Sequence, residues 1–238
     1  MALSNCWRED ERSKIASRVG EIFNDFRVLI HFYLAFFILC LIIFLFGLAF
    51  PWFNLLLVAS RSTPWGIFTS IFIHNDLLHL VRNMVGLFSF FLIFSFTNYF
   101  LPSKEKINRV SFLTITLLTS TVLSNLIWIL IVKIGTIGAS GLVYASEGAV
   151  TGFCLVNFWD LYELGKTKAS RKTGVLLVNL SIFILVCIWM IFYTYSFLSY
   201  ERDANVLIHG SSFVIAFILA IEWGSIKKVF GFGHQSRT

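Results

Sequence analysis

Gly138-Ala139-Ser140-Gly141-Leu142-Val143-Tyr144-Ala145-Ser146-Glu147-Gly148 is the stretch in which a polar connection turns into an apolar, Gly-rich helix. The apolar run lasts to Phe158, and Glu147 is its only charge. Crossing the hydrocarbon core of a bilayer takes about 20 largely apolar residues, so residues 140–158 read as a membrane span. Gly141, Ala145, Gly148 and Gly152 recur at intervals of four, three and four. Such a small-residue stripe lets a second helix approach closely. Ser140 therefore stands at the start of a packed membrane helix. A second apolar run, residues 204–221, carries one His, His209, near its own start. A hydroxyl and an imidazole at the same depth of a membrane are the minimum for a Ser–His nucleophile.

Composition agrees with the membrane reading. Of 238 residues, 57% are hydrophobic and only 13% charged. The mean hydropathy is +0.80. A soluble domain is excluded on these values. The net charge is +6, but the basic residues lie between apolar runs rather than in the single patch that a nucleic-acid-binding surface needs. Cys6, Cys40, Cys154 and Cys187 form no C-x-x-C pair. Neither a disulfide framework nor a zinc site is expected, and no cofactor is called for. The N-terminal residues carry charges of both signs with no cleavable signal, so the first span itself is expected to direct insertion.

Five further runs complete the pattern around residues 140–158. Spans are expected at 28–50, 74–97, 110–132, 175–198 and 204–221, as helices, because lipid offers the backbone no hydrogen-bond partners. Residues 51–73 are broken by Pro51, Asn54, Arg61 and Pro64. They read as a connection lying partly in the lipid interface, with Trp52 and Trp65 as anchors. Lys and Arg counts alternate along the chain. The N-terminal segment holds Arg8, Arg12, Lys14, Arg18 and Arg27; the next connections hold Arg61, then Lys104, Lys106 and Arg109, then Lys133, then Lys166, Lys168, Arg171 and Lys172, then Arg202, and the tail holds Lys227, Lys228 and Arg237. The positive-inside rule then places both termini in the cytoplasm. The clusters at 104–109 and 166–172 read as orientation determinants. In this topology His79, Asn83, Ser140 and His209 all fall in the early parts of spans that start outside, within roughly 10–15 Å of the outer surface.

Three chemistries cut peptides in membranes. The zinc motif H-E-x-x-H is absent, and only Asp76 and Asp203, both at span edges, are available for an aspartyl pair. A serine activated by His remains. The second-span region reads Trp65-Gly66-Ile67-Phe68-Thr69-Ser70-Ile71-Phe72-Ile73-His74, then His79-Leu80-Val81-Arg82-Asn83-Met84. With Gly-Ala-Ser-Gly and the lone His of the last span, this resembles the rhomboid family of intramembrane serine proteases. Its signature runs W-R-x-x-T-x-x-F-x-H, H-x-x-x-N-M, G-x-S-G and a final-span His, and the resemblance extends over all six spans in order.

The resemblance implies an all-α bundle of six transmembrane helices. It implies Ser140 as nucleophile and His209 as general base, a dyad without a third carboxylate. Asn83 and His79, with the Ser140 backbone N–H, would stabilise the oxyanion. Tyr144, with Gly138 and Gly141, would line the substrate pocket. The residues agree in part on their own: His79 and Asn83 are i, i+4 and share a helix face, and an unperturbed His has a pKa near 6.5. Gly66 departs from the family's Arg, which leaves the anchoring of its loop open. Ser212 and Ala216 stand where the family has Gly, and both are small enough for close packing. Arg82 and Glu147 lie at similar depths and are expected to pair or to share a water-filled cavity, since a lone charge at mid-span costs about 2.5–3.5 kcal/mol. His74 reads as structural and His31 as interfacial.

The expected organisation is a cytoplasmic segment at 1–27, a six-helix protease domain at 28–222 and a cytoplasmic tail at 223–238. Cell-membrane proteins with one or more spans are the expected substrates and the lipid bilayer the surroundings, with no nucleic acid and no metal. Two other readings stand beside this one. A catalytically silent relative would bind membrane clients without cutting them. A small transporter would use Arg82, Glu147 and the His residues as a polar path, but it calls for repeat symmetry, which the sequence lacks.

Overall fold

The computed structural model describes residues 2–98, 103–132, 134–165, 177, 180–181, 184–185, 188 and 206–223. The elements are helices α1 (Ala2–Ala49), α2 (Pro51–Leu57), α3 (Gly66–Thr69), a 3-10 turn (Ser70–Phe72), α4 (Leu77–Thr97), α5 (Ser103–Ile131), α6 (Ser140–Gly165) and α7 (Val206–Ile221). The fold is a helical membrane bundle, and five of the six expected spans coincide with α1, α4, α5, α6 and α7. Arg27–Ala49, Leu77–Thr97 and Ile107–Ile131 are long and apolar enough to cross a membrane, and Val206–Ile221 is a shorter apolar helix. The expected span at 175–198 lies mostly outside the described residues; its described positions, Leu177, Leu180, Ser181, Ile184, Leu185 and Ile188, are helical.

Helix α1 shows why these runs pack as they do. Leu29, Phe36 and Cys40 lie at helical spacing and are buried, while Val28, Ile38, Ile42 and Leu45 on other faces are exposed. An exposed apolar face of this kind is what lipid contact demands. Aromatic rings close the inner face, Phe32 against Phe91 at 6.1 Å and Phe36 against Phe72 at 5.4 Å between centroids. Helix α4 begins where Asp76 accepts a hydrogen bond from the His79 backbone N–H at 2.7 Å. Asp76 at the span edge is thus an N-cap.

Helices α4, α6 and α7 run in the same direction. A Cβ on Gly141 would meet Ile208 and Ser212, one on Gly148 would overlap the Phe213 carbonyl oxygen, and one on Gly152 would meet Phe217 and Ala220. The two helices therefore advance together. Gly138 faces His79 and Asn83, Phe94 meets Phe153 at 5.5 Å, and Asn157 Nδ2 donates to the Thr97 carbonyl at 3.0 Å, so α4 also advances beside α6. Helix α5 runs the opposite way, with Thr121 beside Gly141 and Phe112 beside Phe153 at 6.2 Å. The early residues of α4, α6 and α7 consequently share one end of the bundle.

The other end holds a buried polar cluster. Arg109 is 1% exposed. Its Nη1 donates to Asn157 Oδ1 at 2.6 Å and Asn98 Oδ1 at 3.3 Å, and its guanidinium carbon lies 5.2 Å from the centre of the Phe153 ring. Sequence counted Arg109 among the orientation determinants at 104–109 and gave it no packing role. Its side chain ties the beginning of α5 to α6 and to the end of α4. The long, weakly hydrated guanidinium suits such a buried position better than an ammonium would.

The connection between α1 and α4 does not span, as its breaks implied. It is a pair of short helices and a turn, with Trp52 58% and Trp65 51% exposed.

Candidate active site

Ser140 is the first residue of α6, and Leu142 and Val143 donate back to the Ala139 carbonyl at 2.9 and 3.2 Å. The first N–H groups of a helix have no intrahelical acceptor, so the α6 start presents backbone donors beside the Ser140 hydroxyl. Gly138 makes the approach possible. Its φ of 112° lies in the left-handed region, which favours glycine. A Cβ there would also come within 2.9 Å of His79 Cε1 and 3.9 Å of Asn83 Nδ2. The His79 and Asn83 side chains therefore lie against the backbone that leads into Ser140. Asn83 is 2% exposed, and its Nδ2 has no hydrogen-bond partner among the described residues.

Helix α7 brings His209 to the same place. The Tyr144 ring, one turn beyond Ser140, stacks on the His209 imidazole with centroids 4.2 Å apart and an interplanar angle of 18°. Gly141, next to Ser140, faces Ile208, next to His209, and Ser212. Ser140 is 9% and His209 6% exposed. The small-residue stripe of α6 lets these helices approach, and Ser212 and Ala216, both fully buried, permit the same on α7. Ser140, His209, His79, Asn83, Tyr144, Gly138 and Gly141 are all at one end of the bundle. Two polar side chains and helix N–H groups beside a hydroxyl can hold a developing negative charge.

Sequence expected Arg82 and Glu147 to pair or to share a water-filled cavity, and the structure does not pair them. Arg82 is on an exposed face of α4, whereas Glu147 is 1% exposed and its Oε1 has no hydrogen-bond partner among the described residues. The i+7 spacing turns Glu147 into the bundle, while Arg82 falls one position off the buried line of Leu80, Asn83, Met84 and Leu87. His74 is 2% exposed and packs edge-on against His79 at 5.2 Å, so it supports that ring. Among the described residues no group of three or more His, Cys, Asp or Glu could hold a metal ion.

The residue that sequence reasoning missed most clearly is Arg61. Gly66 left the anchoring of the α1–α4 connection open, and Arg61 supplies it, its Nε and Nη2 donating to the Ile129 and Leu130 carbonyls at 3.1 and 3.0 Å. Asn125 Nδ2 adds bonds to the Ile67 carbonyl and Ser70 Oγ at 3.0 and 3.1 Å. A Cβ on Gly66 would overlap the Val58 carbonyl oxygen, so this backbone needs glycine where the family pattern has Arg. No local motif marks Arg61, because its acceptors are 68 and 69 residues away.

The family model for the Rhomboid domain matches residues 61–222, which include every residue of this site. No curated protein matches the chain. With a helical membrane bundle, and with the family match covering α4 to α7 and the residues gathered at their shared end, the chain belongs to the rhomboid family.

Proposed function

We propose that the protein is an intramembrane serine endopeptidase that cleaves transmembrane-helix substrates near their outer end. Ser140 Oγ attacks the scissile carbonyl carbon while His209 takes the hydroxyl proton. Asn83, His79 and the Ser140 N–H stabilise the tetrahedral oxyanion. Collapse of that intermediate expels the amine, which receives its proton from His209, and water then hydrolyses the acyl-enzyme. Tyr144, Gly138 and Gly141 border the position of the substrate side chain before the cut. A helix exposes no backbone to a nucleophile until it unwinds, so substrates carry helix-breaking residues near the cut.

The observation that supports this reading is the stack of Tyr144, four residues beyond Ser140 on α6, on the α7 imidazole of His209. In keeping with it, residues 28–222 form the protease domain, flanked by cytoplasmic segments at 1–27 and 223–238. The protein resides in the cell membrane with its site open to the external side.

The test is cleavage of a single-span reporter in liposomes by the wild type, Ser140→Ala and His209→Ala, with folding followed by thermal melting. The reading expects cleavage by the wild type and none by either folded variant. A folded wild type that cuts nothing, and whose Ser140 takes no fluorophosphonate label, overturns it in favour of a silent client-binding relative.

A further inference from the structure

The connection between α1 and α4 is fastened to the segment that delivers Ser140. Ala59 and Thr136 exchange backbone hydrogen bonds of 3.1 and 3.0 Å, and the Gly138 N–H donates to the Ser70 carbonyl at 2.9 Å. Thr136 and Gly138 are thus both held by a stretch remote in sequence. Trp128 Nε1 adds a bond to the Ile134 carbonyl at 2.7 Å. Within the connection, Thr63 Oγ1 donates to the Val58 carbonyl at 2.6 Å, Thr69 Oγ1 to the Leu57 carbonyl at 2.9 Å and Trp65 Nε1 to the Leu56 carbonyl at 2.6 Å. It is a cross-braced body rather than a loose strap.

That body is fixed to the bundle beside Ala59 by Arg61. The last carbonyls of α5 have no intrahelical donor and carry the negative end of the helix dipole. A guanidinium that donates to two successive carbonyls satisfies both and places a cation where the dipole favours one.

We propose that Arg61 is a positioning residue for Ser140: its guanidinium pins the α1–α4 connection to the end of α5, and through Ala59–Thr136 and Ser70–Gly138 it holds the backbone on which the nucleophile stands. The inference rests on Ser140 being the nucleophile. Arg61 touches neither substrate nor reacting atoms. It acts on the rate because a misplacement of about 1 Å at a reacting group costs about 10²-fold, and partial release of one of several fastenings costs less.

The test compares wild type, Arg61→Ala and Arg61→Lys in liposomes, reading kcat and KM for a single-span reporter and the rate of fluorophosphonate labelling of Ser140. Arg61→Ala is expected to lower kcat and the labelling rate together, about tenfold, with KM within about twofold. Arg61→Lys, with a single point charge in place of a fork, restores part of the loss. A second variant pair removes the ambiguity of a general loss of stability. Ala59 and Thr136 form a hydrogen-bonded antiparallel pair, whose Cα atoms stand about 5.5 Å apart, within disulfide range. In the Arg61→Ala background, oxidised Ala59→Cys/Thr136→Cys is expected to recover kcat, and reduction to lose it again. Unchanged kcat and labelling in folded Arg61→Ala, or no recovery on oxidation, overturns the inference. If Arg61→Ala does not fold, Arg61→Lys with and without the disulfide decides by the same criteria. A wild type that neither cuts nor labels overturns the protease reading instead, and leaves Arg61 no nucleophile to position.

Discussion

The Tyr144 ring lies nearly parallel to the His209 imidazole at a centroid distance of 4.2 Å, so one helical turn of α6 sets both the hydroxyl and the support of the ring that would activate it. Tyr144→Phe keeps the stack and is expected to hold kcat within about threefold. Tyr144→Ala removes it. Aromatic pairs contribute about 0.5–1.5 kcal/mol beyond their buried area, which corresponds to a drop of about two- to twelvefold in kcat if the imidazole loses its orientation. Steady-state cleavage by the two variants checks this; equal rates for Phe and Ala would show that the stack is packing without consequence for the chemistry.

Gly138 is constrained twice, by its φ of 112° and by the His79 ring. Gly138→Ala is expected to destabilise the protein by about 1–3 kcal/mol. It should also lower cleavage about 10²-fold, since the shift falls on the backbone beside Ser140. Thermal melting gives the first quantity and kcat per folded molecule the second. Stability lost with kcat intact would separate the loop from the oxyanion.

Asn83 and His79 differ in exposure, Asn83 being buried and His79 half-buried. Asn83→Ala is expected to reduce kcat by about 10²–10³ with little change in KM, the signature of a donor used in the transition state. A rise in KM at constant kcat would assign Asn83 to substrate binding.

Much of this arrangement was legible in the sequence, for reasons that differ by residue. Spans are written in long apolar runs, and five reappear as helices. Ser140 and His209 stood out because polar groups are rare in such runs, and the i, i+4 spacing of His79 and Asn83 put them on one face. The contacts of Arg61 and Arg109 were missed because a charged residue near a span end looks the same in sequence whether it faces water or a partner. Arg61 finds carbonyls on α5 and Arg109 finds amides on α4 and α6, contacts that exist only once remote helices have packed. Arg82 and Glu147 failed as a pair because equal depth says nothing about azimuth around the bundle.

Gly148 reports on how closely α6 and α7 must approach. A Cβ there overlaps the Phe213 carbonyl oxygen, which belongs to backbone and cannot rotate away. Gly148→Ala is expected to force α7 outward, lowering stability by about 1–3 kcal/mol, and to carry His209 with it. Gly20, in α1, has nothing within 4 Å of an added Cβ, so Gly20→Ala is the control and is expected to melt no earlier than the wild type, since Ala favours a helix interior over Gly. Equal melting of the two variants would show that α7 yields without cost.

Arg109 offers the opposite dissociation, stability without chemistry. Asn157, which accepts from Arg109 at 2.6 Å, lies 17 residues beyond Ser140 on α6, roughly 25 Å along the helix. Arg109→Leu leaves the Asn98 and Asn157 side-chain oxygens without their donor in a buried setting. An unsatisfied buried polar group costs about 1–3 kcal/mol. Asn157→Leu is expected to cost a similar amount, because it removes an acceptor from the same buried cation. Both variants should melt earlier while kcat per folded molecule stays within about twofold, since rigid helices separate the cluster from Ser140. A folded Arg109→Leu protein with a kcat reduced in proportion to its stability would mean that the two ends of α6 move as one unit, and the clamp would then act on the site as well as on the fold.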